Sequence, residues 1–488
     1  YYVDGKATTS GDGTQSAPFR TIQKAASVMK AGDVCHIKGG TYRETVLPDH
    51  SGTPDDPLVF QLWGEEEVVV SGCKPVTGWK SSGQHIYSTD VTLNLGHHNQ
   101  VFAGGNMMFE ARWPNAGGTD PEYLLEFRMA TMDKGTEPTR IMDDSLPQMN
   151  RSGARVWVSS HKRWFCWTGE VKGSGNNYLQ VENNADDKGN QKCQQGGKYY
   201  VFGAKALLDT ANEYYYDPSS DSLYVWMPDG GEPGSHVEVK ARRHAFDLRG
   251  VSNVVLKDLH IFGADIVTGE DSRNITLDGL RAKYVYHSSR AINQYGSQTN
   301  TGIRLEGKGH TVKNCEIAYS SGSCISLSGE NIHIVNNYIH DGDYIGSYAA
   351  PVEFNRGCRE CVVSHNTIKR SGRTIVSVSG FYASLLQYND LSHAGYLSDD
   401  LGLTYGNSVE GGNSEVRYNW LHHNLTKSHN MGLYFDHGCK NVIYHHNVIW
   451  GAVTGMINNQ YGNYLLYYNN TVSDAQNSYK STWAAGQK

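Results

Sequence analysis

The sequence predicts an all-β protein: a right-handed parallel β-helix (a solenoid) with an N-terminal capping helix and a β-rich inserted domain. Three observations carry this. A short phrase built on asparagine recurs through the second half. The stretches around it alternate apolar and polar residues with period 2. One amphipathic, helix-spaced stretch stands near the N-terminus.

The repeat comes first in the argument. The phrases VKNCEI, VNNYIH, SHNTIK, QYNDLS, RYNWLH, HHNVIW and YNNTVS make Asn314, Asn337, Asn366, Asn389, Asn419, Asn447 and Asn470 equivalent positions, spaced 23, 29, 23, 30, 28 and 23 residues apart. LKDLHI (Asp258) and LDGLRA (Asp278) read as earlier, imperfect members. A period near 23 suits a coil of three short strands and three turns, each strand too short to be stable alone. Asparagine fits the turn because it tolerates left-handed backbone, and its amides stacked at coil spacing can bond one another in a ladder. Leucine-rich repeats are excluded by the missing leucine phrasing and by period-2 patches such as NIHIVNNYI.

Three coils are long. They carry DGDYIGSYAAPVEFNRG, SHAGYLSDDLGLTYGNSVEGG and NLTKSHNMGLYFDHG. Insertions in a solenoid map to loops on one face, often the binding face.

The first half reads differently. Phe19, Ile22, Ala25, Ala26 and Met29 fall at helical spacing, and a lone helix there would cover the open apolar end of the first coil. Strands follow at Val34–Ile37, PLVFQLWG and EEEVVVSG. Residues 97–238 lack the asparagine repeat, are rich in aromatics, and contain a hairpin, NEYYYDPSSDSLYVWMPDG. The expected division is 1–96 cap and first coils, 97–238 inserted β-domain, and 239–488 main β-helix.

Composition narrows the partners. A net charge of -7 excludes a nucleic-acid footprint, although KARRH and HKRW leave room for a polyanion. No run of 18 apolar residues exists to span a membrane. Nine cysteines leave at least one unpaired within the chain. Cys358 and Cys361 read as small buried residues, since no second ligand pair completes a zinc site. The start at Tyr1 fits a mature or trimmed secreted chain, extracellular or periplasmic, acting as a monomer or small homo-oligomer.

GDGTQSAPFRTIQKAA with AGDVCHIKGGTYRETV, FEARWPN, LDTANEYYYDPSSDSLYVWMPDGG, HAFDLRGVSNVVLKDLHIFGADI and GLYFDHGCKNVIYHHNVIW resemble phrases of secreted bacterial parallel β-helix proteins that act on carbohydrates. Among such proteins the chain resembles glycoside hydrolase family 141-like proteins. That resemblance implies a polysaccharide or oligosaccharide substrate containing fucose or xylose. It also implies acidic residues drawn from late coils, matched here to Asp400 and Asp436.

The residues themselves support such chemistry. Glycoside hydrolysis needs two carboxyl groups flanking the bond. Coils stack about 4.8 Å apart, so carboxylates on neighbouring coils can act together. Asp399 and Asp400 precede LGLTY, and Asp436 ends GLYFD on the next coil, which places them at opposite ends of adjacent strands. Glu353, aligned with Ser326, Ser377 and Tyr434, points outward if Ile325, Leu327, Val352, Phe354, Val376 and Val378 point inward. The catalytic candidates are therefore Asp400, Asp436, Asp399 and Glu353. His393, His437, Tyr405, Tyr434 and Arg373 are the substrate-binding candidates. Tyr344, Tyr348, Tyr461 and Trp450 add flat surfaces for sugar rings, and the pairs His422–His423 and His445–His446 read as structural. This reading needs no metal or cofactor.

Two alternatives stand beside it. A polysaccharide lyase would use Lys369, Arg370 and Arg373 with Tyr405 or a histidine. Calcium could then serve as the neutralising group, with Asp399, Asp400 and Glu353 as oxygen ligands. A non-catalytic carbohydrate-binding solenoid is the third class.

Overall fold

The computed structural model describes residues 1–118, 123–148, 151, 153–182, 189–291, 301–459 and 462–481. The chain is all-β and winds as a parallel β-helix, each coil giving one strand to each of three sheets. One sheet carries the candidate site and is called the site sheet below. It stacks Thr301–Lys308, Ser323–Glu330, Val352–Phe354, Val376–Ser377, Leu401–Gly406, Asn430–Phe435, Thr454–Asn458 and Asn477–Ser481, all parallel. The expected inward residues, from Ile325 to Val378, are fully buried in one continuous apolar core. Alternation therefore turns the residues between them outward.

The asparagine ladder forms at the expected positions from Asn337 to Asn470, but the left-handed turn residue lies one place before each. Asn337, Asn366, Asn389, Asn419 and Asn447 each donate from Nδ2 to the Oδ1 of the next ladder asparagine, at 2.9–3.0 Å. That same Oδ1 also accepts the backbone N–H of the preceding ladder residue. The left-handed residue is the one before each ladder position: Asn336, His365, Tyr388, Tyr418, His446 and Asn469, with φ of 53–58°. Asn314 belongs to this left-handed row, at φ 58°, and Cys315 takes its expected ladder place. Two jobs had been assigned to one asparagine. Two adjacent residues share them, because a side chain turned inward to bond the next coil needs the turn completed before it.

Asn389 is 3% exposed, and its amide also donates to Val363 O at 3.0 Å. Asn389→Ala should leave that carbonyl and the Asn366 N–H unpaired in the interior, costing about 2–4 kcal/mol. Urea unfolding of the two proteins checks this.

The cap is present but shorter than the apolar spacing implies. The helix is Ile22–Ala26, with Thr21 as N-cap and the Glu44 carboxylate accepting the Ile22 and Gln23 N–H groups at 3.0 and 2.9 Å. Phe19 lies before it and bridges Val3, while Met29 lies beyond it; both join the same core.

The inserted β-structure begins earlier than the expected residue 97. Strand Leu58–Ser71 pairs with Val34–Tyr42 on one side and with Ser252–Lys257 and His260–Phe262 on the other. The coil stack is thus continuous across the insertion. The chain leaves it at Gly72, whose carbonyl receives the returning Ala241 and Arg242 N–H groups at 2.8 and 3.0 Å. A Cβ at Gly72 would lie 2.4 Å from Gly263 O, so the exit requires glycine. From Cys73–Pro75 to Val237–Lys240 the pairing is almost wholly antiparallel. Residues 73–96 therefore pair within the insertion rather than in the coils. Short alternating strands read alike in both settings, so pattern alone misplaced the boundary. The predicted hairpin is present, with Glu213–Asp217 against Ser222–Trp226. Among the described residues no helix is long and apolar enough to cross a membrane.

Candidate active site

The outward row of the site sheet is as expected and extends further. Glu353 is level with Ser326 and Ser377, Ser377 with Tyr405, and Tyr405 with Tyr434. The next outward position, two residues on, holds Asn407, Asp436 and Asn459 on consecutive coils. Asp436 N donates to Gly406 O, and Asn459 N to Phe435 O, each at 2.8 Å.

Four donors converge on the Asp436 carboxylate. Tyr405 Oη donates to Oδ2 at 3.0 Å and Asn407 Nδ2 to the same oxygen at 3.4 Å. Asn459 Nδ2 and His437 N donate to Oδ1 at 2.7 and 2.9 Å. The His437 ring stands 3.5 Å from Oδ1. Tyr348 Oη in turn donates to Tyr405 Oη at 2.7 Å. A carboxylate accepts only, so this ring of donors fixes its orientation.

Asp400 immediately precedes Leu401–Gly406, as Asp436 immediately follows Asn430–Phe435, so the two do lie at opposite ends of adjacent strands. Asp400 has φ 58° and lines a cleft of about 390 Å³ together with His429, Tyr434, Asn459 and Lys480. That volume lies within the range of small-ligand sites. Burial pushes the Asp400 carboxyl up; Asp436 adds to the push, and His429 and Arg373 oppose it.

Several candidates are placed otherwise than expected. Asp399, though adjacent to Asp400, turns to the inserted domain and pairs with Arg163 at 2.9 Å. Arg373 is 2% exposed, so it does not reach substrate. Its guanidinium lies 3.8 and 4.4 Å from the Tyr348 and Tyr405 rings, and Nε donates to Trp164 O at 2.9 Å. Tyr405 and Tyr434 are largely buried in a small apolar cluster: Tyr405 is taken up by Asp436 and Tyr348, while Tyr434 still lines the cleft. His393 lies in Asp390–Ala394 on a neighbouring sheet, stacked on His423. Lys369 and Arg370 lie on that same sheet, Arg370 paired with Asp341 and Glu126. The machinery named for a lyase is therefore dispersed.

The calcium trio is also split by the Arg163 pair, and among the described residues no group of three or more His, Cys, Asp or Glu side chains could hold a metal ion. Tyr344 packs against the inserted domain, its Oη 3.8 Å from Met107 Sδ and bonded to His287 of the coils, and Trp450 stacks on His422. Tyr461 lies outside the described residues. Cys358 and Cys361 are buried core thiols, as expected.

Sequence reasoning missed Asn407, Asn459 and Asp343. The first two were findable: aligning TYGN, LYFD and MINN puts them beside Asp436. Asp343 is fully buried. Its Oδ1 accepts Ser347 N and Oγ at 2.7 and 2.6 Å, folding the insertion that delivers Tyr348. The inserted domain grips the same segments, through Trp157 Nε1 to Ile345 O at 2.8 Å and Ser159 Oγ to Leu397 O at 2.9 Å.

Glu353 is half-buried, and burial pushes its carboxyl up to about 7. The folded protein then holds a proton that the unfolded chain releases near 4.5, so stability falls as pH rises between those values. Glu353→Gln should remove that penalty. It should be more stable than the parent above pH 7, by about 1–3 kcal/mol, and equal to it at pH 4. Urea titrations at pH 4 and 8 check both halves.

Comparison with known proteins bears on the fold. A family model described as "Right handed beta helix region" matches residues 296–472, and one described as a protein of unknown function matches residues 3–48. The uncharacterized protein YwoF of Bacillus subtilis (strain 168) is 39% identical over 71 residues, 14% of this chain and 15% of its own length. Pectate lyase PEL9 of Emericella nidulans is 33% identical over 73 residues, 14% of this chain and 18% of its own. The chain thus matches less than a fifth of either curated relative. A solved structure titled "Glycoside hydrolase" superposes with a TM-score of 0.73 at 15% identity, covering 96% of both chains. That likeness extends the shared fold over the inserted domain as well as the coils.

Proposed function

We propose that this protein is an extracellular or periplasmic glycoside hydrolase that cleaves a polysaccharide or oligosaccharide with Asp400 as general acid and Asp436 as base or nucleophile. The carrying observation is the Asp436 carboxylate, held by four donors, one of which, Asn459, lines the same cleft as Asp400. Hydrolysis needs one carboxyl that keeps its proton and one that is ionised and aimed. Burial equips Asp400 for the first task. The donor ring aims Asp436 for the second.

Two further features support hydrolysis over β-elimination. Elimination needs an accessible cation or metal to neutralise a uronate and a base beside it. Lys369 and Arg370 stand on another sheet, and Arg373 is enclosed by tyrosine rings. A pectate lyase and a protein titled glycoside hydrolase are both among the similar proteins, so the discriminating measurement is of the product. The protein is incubated with neutral and uronic-acid polymers, and new reducing ends and ultraviolet absorbance are followed together. Reducing ends without absorbance are expected. Absorbance from an unsaturated sugar would overturn the hydrolase reading.

A further inference from the structure

The outward row that carries Asp436 does not end at the cleft. Going toward the N-terminus it continues as Asn407, Ser379, Asn355 and Ser328, one residue per coil and all partly exposed. Asn355 Nδ2 donates to Ser328 Oγ at 3.3 Å, so the strip is continuous there. A strip of small polar side chains on a flat sheet offers hydroxyl and amide groups at a repeat of about 4.8 Å.

At Ser328 the strip enters a second depression of about 420 Å³. Its walls carry Arg273, Lys308, Arg356 and Arg359, with Glu270, Glu306 and Glu330. The pairing of these charges is uneven. Lys308 bonds Glu330 at 2.9 Å, and Glu306 faces Arg304 at 3.4 Å. Arg273 donates to the backbone carbonyls of Glu270 and Ser272. Arg359 lies against the Tyr382 ring. Among the described residues neither Arg356, Arg359 nor Arg273 has a carboxylate within ion-pair distance. The lining holds four cations against three carboxylates, and Glu306 is answered by Arg304 from outside it, so the depression keeps a net positive charge even though Glu330 faces Arg273 and Arg359 as well as Lys308. Gly307, Gly329 and Gly357 keep its floor low by presenting no side chain.

We infer that this basin is a distal subsite for a negatively charged sugar unit of a polymer laid along the strip, a unit bearing a carboxylate or a sulfate. The inference rests on the proposal that the Asp436 site acts on a carbohydrate polymer, and it adds the charge of the substrate. Four coil steps separate Asp436 from Ser328, about 19 Å at the spacing of neighbouring strands. The charged unit therefore sits several sugars from the bond that is cut. Guanidinium groups suit the role because their planar fork meets a carboxylate or sulfate with two hydrogen bonds.

Binding tests this without depending on cleavage. Affinity electrophoresis is run with polygalacturonate, dextran sulfate and neutral xylan on the intact protein, on Arg356→Ala/Arg359→Ala, and on Lys369→Ala as a charge control on another sheet. Wild type should bind at least one of the two anionic polymers at least ten-fold tighter than xylan. The double variant should lose about ten-fold or more of that binding, and Lys369→Ala should not. Whichever anionic polymer is held tighter identifies the group. Retention of full anionic binding by the double variant would overturn the inference, as would equal binding of xylan. Failure of cleavage on every polymer, with charge-selective binding intact, would instead count against the hydrolase reading alone.

Discussion

Asp436→Asn is expected to lower turnover about a thousand-fold while leaving the fold intact. Removing one member of an acid–base pair typically forfeits two to four orders of magnitude. Asparagine keeps the shape of the carboxylate but turns one acceptor into a donor. That donor meets Tyr405 and Asn407 on one side, or Asn459 and the His437 N–H on the other. The clash is local, and its stability cost should be about 1–2 kcal/mol. Tyr405→Phe removes one donor of the four and should slow the reaction about ten-fold, because orientation is weakened rather than lost. Turnover on the best polymer, measured beside urea unfolding, separates chemistry from folding. Full activity in Asp436→Asn would move the site elsewhere.

Asp400→Asn should cost about a hundred- to ten-thousand-fold on a natural polymer, with a pattern that identifies the acid. The residue sits at φ 58°, which asparagine tolerates, so the backbone is preserved. An aryl glycoside with a good leaving group needs little protonation and should recover most of the lost rate. The pH profile gives a second reading. Burial holds the Asp400 proton to higher pH than an exposed aspartate, so wild-type activity falls as pH rises through that value. In Asp400→Asn this alkaline limb should vanish. A variant that loses rate equally on both substrates, with the limb retained, would make Asp400 a binding residue and pass the acid role to another candidate carboxyl such as Glu353.

Much of the architecture is legible in the linear chain. The spacing of Asn337 to Asn470 specifies coils, because each coil must return an inward amide to the same height. Alternation from Ile325 to Val378 specifies which residues are core, and so puts Glu353 on the outer face. The kinship of LGLTYG and MGLYFD places Asp400 and Asp436 at opposite strand ends. These are local properties: period, turn and side of the sheet follow from the chemistry of neighbouring residues.

The grouping of side chains into a site was decided elsewhere. Asp399 and Asp400 are adjacent, yet one is drawn to Arg163 and the other lines the cleft. Arg373 looked like a surface cation until Trp164, 209 residues away, and two tyrosine rings enclosed it. His393 shares a coil with Asp400 but faces from another sheet. The sequence by itself determined the solenoid and its faces, since these repeat at short range. Only the tertiary structure decided which candidates are drawn away from the site, Asp399 to Arg163 and Arg373 to Trp164, since that depends on how the inserted domain folds back onto loops hundreds of residues further along the chain.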